Sequence, residues 1–135
     1  MSWDIFVQDF PVDAKTIEDI PVDFAPRTIG RRSEVIEKIK GILPDADFSD
    51  PSWGRVELPE CSMEINMGEA EEMDGFAFHV HGGEKAPATI VKILQTLKLR
   101  AVDNGTGDFL DTATAVRGFE AWRDYRDQVM ATVKK

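Results

Sequence analysis

Alternation of apolar and polar side chains is clearest between residues 54 and 81. Three runs there, residues 54–58, 61–67 and 76–81, each have one apolar and one polar face. This pattern is typical of antiparallel strands that pack on one side only. A similar run at residues 3–8 predicts a first strand, and the apolar Phe6 on its polar side predicts that both faces are covered.

Apolar spacing changes to that of a helix in three further segments. Gly41 predicts the end of the first helix, because Pro44 follows it. Pro87 fits the first turn of the second helix, and Thr112 is the predicted cap of the third. Gly118 weakens the third helix by about 1 kcal/mol relative to alanine, so we expect a close packing contact there. The three apolar stripes are Val35, Ile36, Ile39 and Leu43; Ile90, Val91, Leu94 and Leu97; and Val116, Phe119, Trp122, Val129, Met130 and Val133.

Turn-forming residues separate these elements. Residues 9–26 contain three prolines and predict a long extended connection, and residues 44–54 predict a surface loop. Residues 99–102 and 108–110 predict two short strands around an Asn-Gly turn. The apolar side chains expected to hold the two connections against the domain are Ile17, Ile20, Val22, Phe24, Phe48 and Trp53.

The predicted elements follow the order strand, helix, three strands, helix, hairpin, helix. A doubly wound parallel sheet would instead alternate strands and helices strictly. We therefore predict an α+β fold, an antiparallel or partly mixed sheet with about three helices packed on one face. The chain of 135 residues fits one globular domain, residues 1–135.

Acidic side chains are concentrated in the first half of the chain. The formal net charge is −9, and residues 1–75 carry 18 acidic against 7 basic side chains, whereas residues 76–135 carry a net charge of +2. Such a field repels the phosphates of nucleic acids and anionic membrane surfaces, and it speeds encounter with a basic protein. Such acidity is also explained by solubility alone. If it serves binding, we predict a basic protein as the partner, and neither nucleic acid nor a membrane.

The cysteine content and the first residues indicate a cytoplasmic protein. The opening MSWDIFVQDF has no basic region followed by an apolar block, and no run approaches the ~20 apolar residues of a membrane span. Cys61 is the only cysteine, which excludes an intrachain disulfide and a cysteine-based zinc cage. Because Cys61 shares the apolar side of its run, we predict a buried small hydrophobe rather than a nucleophile.

Both histidines lie in the segment FHVHGG, residues 78–83. His79 and His81 project to the same face of a strand, so both rings could reach one metal ion with Glu64 of the neighbouring run as third ligand. A second reading is an anion site at the helix start after the two glycines, although a glutamate competes there. A third reading is the polar edge of a strand that turns into the helix at the glycines. We favour the third and predict no bound metal and no cofactor.

The short connection between the first two runs fixes their register. A two-residue turn pairs Leu58 with Cys61, since Pro59 and Glu60 lie between them. Arg55 then falls opposite Glu64 on the middle strand. We therefore predict an opposite-charge pair across these two strands.

The next hairpin follows from pairing polar with polar side chains. This rule places Glu64 opposite His79 and Ser62 opposite His81. Any ligand site on the sheet would be assembled from the resulting polar face. The predicted polar-face cluster is Arg55, Glu64, His79 and His81.

Four blocks of the sequence carry a resemblance to a known family. They are MSWDIFVQDFP, DFSDPSWG, HVHGG and LRAVDNGTGDF, and they cover most of the chain in this order. The chain resembles a family of small bacterial proteins that share these blocks and have no assigned activity. The resemblance implies a bacterial, cytoplasmic, single-domain protein and transfers no catalytic residue. It also implies that arginine is more frequent than histidine in the place of His81, which argues against a metal site.

Two hypotheses of function come from different classes. The first is an acidic interaction module that docks on a basic partner, as immunity proteins do when they neutralise toxins. The alternative is a hydrolase or metal-dependent enzyme with its site on the polar sheet face around Glu64, His79 and His81. We favour the first, because the acidity that supports it extends over half of the chain.

Overall fold

The computed structural model describes residues 1–133. Within these residues the protein has a five-stranded antiparallel sheet, a two-stranded sheet and three α-helices, so the predicted α+β class is confirmed. In chain order the elements are β1 (Trp3–Gln8), β2 (Gly30–Arg31), α1 (Arg32–Ile42), β3 (Trp53–Leu58), β4 (Cys61–Asn66), β5 (Glu72–Met73), β6 (Gly75–Gly82), α2 (Ala86–Leu97), β7 (Arg100–Asp103) and α3 (Thr112–Val133).

The main sheet has two unlike faces. Its strands follow the order β3-β4-β6-β1-β7, and each neighbouring pair is antiparallel. The helices cover the inner face, where Ile5, Ile65 and Phe78 are 0% exposed. The opposite side, which we call the outer face, remains uncovered by the helices. The outer face comprises Asp4, Phe6, Gln8, Trp53, Arg55, Glu57, Ser62, Glu64, Asn66, Ala77, His79, His81, Arg100 and Val102.

The outer side of β1 is open, so the prediction that both of its faces are covered is wrong. Phe6 is 42% exposed, whereas Trp3, Ile5 and Val7 on the inner side are buried. The reason is that the three helices of the described residues pack on the inner face of the sheet, so none of them covers the outer side of β1.

The proline-rich connection after β1 is held by local hydrogen bonds and by contacts with the domain, among them the Arg100 guanidinium, which donates to the Pro11 carbonyl. Ile17 is 46% exposed and Val22 is fully exposed, so neither anchors the segment as predicted. The carboxylate of Asp19 instead accepts two backbone N–H groups of the preceding turn. Phe24 stacks on Phe10 of the same connection with the ring centroids 6.2 Å apart, and Phe10 in turn packs edge-on against Phe109 with the centroids 5.5 Å apart.

The first helix extends beyond the predicted stop. α1 continues through Gly41 and ends at Ile42, so the prediction that Gly41 terminates it is wrong. The N–H of Leu43 donates to the carbonyl of Ile39 at 2.8 Å, and the buried Leu43 side chain holds this last turn on the core. Pro44 has no N–H to continue the ladder, so the chain leaves the helix there.

Asp111, rather than the predicted Thr112, caps α3. The Asp111 carboxylate accepts the N–H of Thr114 at 2.8 Å, and the Thr114 hydroxyl accepts the N–H of Asp111 at 2.8 Å. This reciprocal pair satisfies two backbone donors at the start of the helix. The sequence rule selected the wrong neighbour because aspartate and threonine are both good caps.

The buried side of α3 is set by small residues. Val116 and Met130 are 41% and 49% exposed, so their place in the predicted stripe is wrong, while the Val133 side chain lies outside the described part. Ala115 is fully buried, and a Cβ on Gly118 would lie 2.2 Å from Asp103 Oδ2. The close contact predicted at Gly118 is therefore confirmed. Phe119, next to Gly118, is 3% exposed, so the buried side of α3 combines Ala115 and Gly118 with one large aromatic ring.

Two short pairings complete the fold. The hairpin predicted at residues 99–110 keeps its first strand as β7, while its second strand is reduced to a bridge between Val102 and Phe109. β5, inside the acidic connection before β6, pairs with β2. Met73 of β5 is 3% exposed, and its burial explains why a strand forms in an otherwise acidic segment.

Candidate functional site

A row of charged and imidazole side chains crosses four strands of the outer face. Backbone pairing places Arg55 opposite Glu64 and Glu64 opposite His79, which confirms the predicted register. β1 adds Asp4 to the row, directly opposite His79. Sequence patterns missed Asp4, because they place it on the polar side of a strand without indicating which strand lies beside it.

A bulge in β6 determines the place of His81. Ser62 pairs with Gly82 because the register shifts at this point, so the prediction that Ser62 faces His81 is wrong. A bulge gives one strand an extra residue and re-aims its side chain. The His81 ring turns towards Glu64, with its Nε2 atom 2.6 Å from Oε1.

Gly83 brings the end of this bulge against the turn between β3 and β4. Its φ angle is +100°, and a Cβ at this position would lie 2.3 Å from the carbonyl oxygen of Glu60. The N–H of Lys85 donates to the same carbonyl at 2.9 Å. Only glycine permits this approach without strain. The segment after His81 therefore acts as the tight connection from strand to helix.

Two imidazole–carboxylate pairs lie side by side on the outer face. His79 Nδ1 is 2.7 Å from Asp4 Oδ1, next to the pair of His81 and Glu64. The Trp53 indole stacks on the His79 ring with centroids 5.8 Å apart and planes inclined by 20°. The two rings thus bind different carboxylates and do not converge on one point. Among residues 1–133, no three histidine, cysteine, aspartate or glutamate side chains are grouped to hold a metal ion.

Glu64 is held in its ionised form by the groups around it. The hydrogen bond with His81 is the largest cause that lowers the pKa of its carboxyl group, and the indole N–H of Trp53 adds a second donor. The guanidinium of Arg55 contributes a smaller Coulombic effect in the same direction. Partial burial opposes these effects but does not outweigh them. Glu64 is therefore a fixed negative charge at the centre of the outer face.

Trp53 has a different role from the predicted one. It was expected to hold the loop 44–54 against the domain as an apolar side chain, a role that Phe48 fulfils by contact with the backbone of Gly54. Trp53 instead begins β3 and donates its indole N–H to Glu64. Its N–H is the feature that separates it from Phe48, because a half-buried indole donor needs a partner.

The loop before β3 adds ionised carboxylates beside the outer face. Asp47 pairs with Arg55 through backbone hydrogen bonds, which places the loop along the free edge of β3. The hydroxyl and N–H of Ser49 lower the pKa of Asp47, and those of Ser52 lower the pKa of Asp50. We call Asp47, Asp50 and Glu57 the acidic edge.

Arg55 is the basic side chain that lines both depressions between the acidic edge and the outer face. One depression has a volume of about 380 Å³ and is lined by Asp47, Asp50 and Trp53. The other, of about 300 Å³, is lined by Glu57, Glu64 and His81 among others. The guanidinium acts Coulombically on Asp47, Asp50 and Glu64. Lys40 acts in the same way on Asp47, and Arg32 on Asp50. The carboxylates of this part of the surface therefore lie among several basic side chains, of which Arg55 lines both depressions.

Cys61 lies on the inner face, as predicted from its position in the alternating run. It is 2% exposed. Burial, with a smaller contribution from the nearby charge of Glu60, raises the pKa of its thiol to about 11. The side chain is therefore an uncharged thiol at neutral pH, packed with the apolar core.

Comparisons with family models, with curated proteins and with solved structures found no match for this chain. The resemblance to a family of small bacterial proteins therefore stays a prediction. Within residues 1–133, the helices lack the combination of length and apolar character that crossing a membrane requires.

Proposed function

We propose that the protein is an interaction module that docks on a basic protein through the outer face and the acidic edge. The observation that carries this proposal is the arrangement of Asp47, Asp50, Glu57 and Glu64 around the guanidinium of Arg55, with Lys40 acting on Asp47 and Arg32 on Asp50 as further basic side chains. Such a surface offers several acceptors to lysine and arginine side chains of a partner. Arg55 limits the orientations in which the partner can dock, because a basic group of the partner placed directly over Arg55 is repelled.

The charge distribution supports fast and salt-sensitive association. Residues 1–75, which supply most of the outer face, carry a net charge of −11. A field of one sign raises the rate of encounter with a partner of opposite sign, and salt screens it over about 10 Å at 0.1 M ionic strength. We therefore expect the complex to form at low salt and to weaken as salt is added.

Apolar side chains on the same surface supply contact area. Phe6 is 42% exposed next to the polar row, and the half-buried Trp53 lies at the other end of the same cross-strand line. Interfaces commonly derive most of their free energy from a few aromatic residues within a polar rim. The outer face has this composition, with Phe6 as the exposed aromatic side chain.

Affinity capture followed by a charge-reversal pair tests the proposal. The immobilised protein should retain a basic protein from a lysate of the source cells at low salt and release it at moderate salt. The retained protein is then purified, and its affinity is measured by calorimetry. Glu57→Lys should weaken binding by about tenfold or more, because it places like charges across the interface.

Glu37→Lys is the matched control. It makes the same change of charge on α1, at an exposed position on the opposite side of the sheet. It should change affinity far less than Glu57→Lys. Equal losses for the two variants would show that only net charge matters, and the absence of any retained basic protein at low salt would contradict the proposal.

The alternative of an enzyme has one supporting observation. The 2.6 Å contact of His81 with Glu64 resembles the base and orienting carboxylate of general acid–base catalysis. Within the described residues, however, no serine, threonine or cysteine side chain is hydrogen-bonded to His81. The interaction module therefore accounts for more of the surface. Hydrolysis of simple esters that is abolished by His81→Ala would favour the enzyme instead.

A further inference from the structure

A cleft lies where the polar row of the outer face ends at Asp4. It is formed by β1, the turn after β7 and α3, and has a volume of about 350 Å³. Trp122 and Tyr125, one turn apart on α3, provide aromatic walls. Asp4 and Asp103 provide two carboxyl groups, and among residues 1–133 no lysine or arginine lines the cleft.

The two carboxylates differ in what they can offer a ligand. Asp103 is 1% exposed, and its oxygens accept the Trp3 indole N–H at 2.8 Å and the Gly105 N–H at 2.8 Å. Both oxygens of Asp103 are therefore occupied by donors of the protein itself, behind the cleft. Asp4 uses Oδ1 for both Ser2 and His79, and within the described residues Oδ2 has no hydrogen-bond partner. This leaves one acceptor available on a side chain that is 30% exposed.

The aromatic walls suit a planar cation. The guanidinium of Arg126 already lies 4.9 Å from the centre of the Trp122 ring, while its own hydrogen bonds go to the His81 carbonyl and to Asp127. Tyr125 is 59% exposed and has a free ring surface. Cations are attracted to the faces of such rings, and a guanidinium can stack on a ring and bind a carboxylate at the same time.

We infer that this cleft receives an arginine side chain of the basic partner. The inference rests on the proposed function for the nature of the partner. The arginine guanidinium donates to Asp4 Oδ2 and stacks on Tyr125. Arginine fits better than lysine, because an ammonium is a compact charge that does not stack as a plane.

A small probe tests the cleft separately from the partner. Nuclear magnetic resonance spectra of the isotopically labelled protein are recorded during titration with N-acetylarginine amide. N-acetylcitrulline amide, which has nearly the same shape and no charge, serves as the matched ligand. The arginine probe should shift the signals of residues 104–106 and of the Trp122 indole, and the citrulline probe should leave them in place. Equal shifts with both probes would overturn the inference.

Variants identify the groups involved. Asp4→Asn should weaken binding of the arginine probe by about tenfold, because a charge-assisted hydrogen bond is lost. His79→Gln disrupts the same Asp4–His79 contact but keeps the Asp4 charge, so it should retain the affinity. Tyr125→Ala should weaken binding and Tyr125→Phe should preserve it. Unchanged affinity in Asp4→Asn, or an equal loss in His79→Gln, would overturn the assignment of Asp4.

The two proposals fail in different ways. If the arginine probe binds but no basic protein docks on the outer face, the proposed function is wrong and the cleft remains a guanidinium site. If a basic protein docks and its affinity is unchanged by Asp4→Asn and Tyr125→Ala together, the cleft is not part of the interface. Glu37→Gln, on the other side of the molecule, should leave both measurements unchanged.

Discussion

The two faces of the main sheet are held together by different forces, and β6 shows the contrast within two residues. Phe78 is 0% exposed and packs among apolar side chains of the inner face. Its neighbour His79 lies on the outer face, where it contacts Asp4 and the Trp53 ring. The stabilisation from burial is roughly proportional to the apolar area removed from water and depends little on the direction of each contact. The contacts of the outer face depend instead on the geometry of particular donor and acceptor atoms.

This contrast separates stability from function. A change on the inner face should alter the free energy of unfolding, because it leaves a cavity or a clash in a close-packed interior. A change on the outer face should have little effect on unfolding, because solvent can replace the lost contact. The outer face can therefore be specialised for binding at little cost in stability.

The largest expected difference compares the two neighbours on β6. Phe78→Ala should lower the free energy of unfolding by about 3–5 kcal/mol, because it removes a fully buried aromatic ring. His79→Ala should lower it by less than about 1 kcal/mol. Denaturant unfolding followed by circular dichroism measures both. Similar losses for the two variants would show that the outer face contributes to stability as strongly as the core.

The next largest expected change in stability concerns two glycines, Gly118 and Gly41. Gly118→Ala should destabilise by about 1–3 kcal/mol, because its methyl group would lie 2.2 Å from Asp103 Oδ2. Gly41→Ala is the control, since nothing lies within 4 Å of a Cβ there. It should stabilise by up to about 1 kcal/mol through helix propensity. A Gly118→Ala protein as stable as the parent would mean that α3 moves away from β7 easily.

A smaller effect depends on pH. The pKa of Glu64 is lowered in the folded protein, chiefly by its hydrogen bond with His81, so its stabilisation is present above the pKa of the unfolded chain and disappears as pH falls through the folded value. Glu64→Gln should therefore be less stable than the parent at neutral pH, by about 1 kcal/mol or less. The difference should shrink on acidification.

Unfolding curves at neutral and acidic pH measure this difference for Glu64→Gln. Glu37→Gln, an exposed carboxylate on α1, is the control and should show no such trend. A difference that stays constant with pH would mean that the amide loses packing or geometry rather than charge.

The smallest expected change in the free energy of unfolding is that of the Glu57→Lys variant. Glu57→Lys should change the free energy of unfolding by no more than about 0.5 kcal/mol, because the side chain is exposed. This is the variant for which we expect a large loss of binding. Thermal unfolding of the parent and the variant provides the check. If Glu57→Lys lost much stability, weakened binding by this variant could result from unfolding rather than from the changed charge.

Local pattern predicted much of the fold, because alternation and helical spacing report directly on which side chains can be buried together. The pairing of Arg55 with Glu64 followed from a two-residue turn, and the pairing of Glu64 with His79 followed from polarity. Both predictions depend on neighbouring segments of the chain. The interaction function and the family resemblance stay predictions.

The rest of the candidate site depends on contacts between distant segments. Asp4 lies 75 residues from His79 in sequence, and Trp3 lies 100 residues from Asp103. No local rule brings such segments together. The role of Trp53 was not predicted for a related reason. Its hydrogen bond to Glu64 depends on the orientation of two side chains on neighbouring strands, which the sequence pattern does not give.

The amino-acid order alone was enough to predict the α+β class, the one-sided polarity of the strands and the acidity of the first half of the chain. These properties follow from the order and chemistry of neighbouring residues. Tertiary structure decided that β1 lies between β6 and β7, that a bulge turns His81 towards Glu64, and that α3 approaches β7 at Gly118. Each of these depends on which distant surfaces fit together, because packing and strand order are set by the whole chain at once.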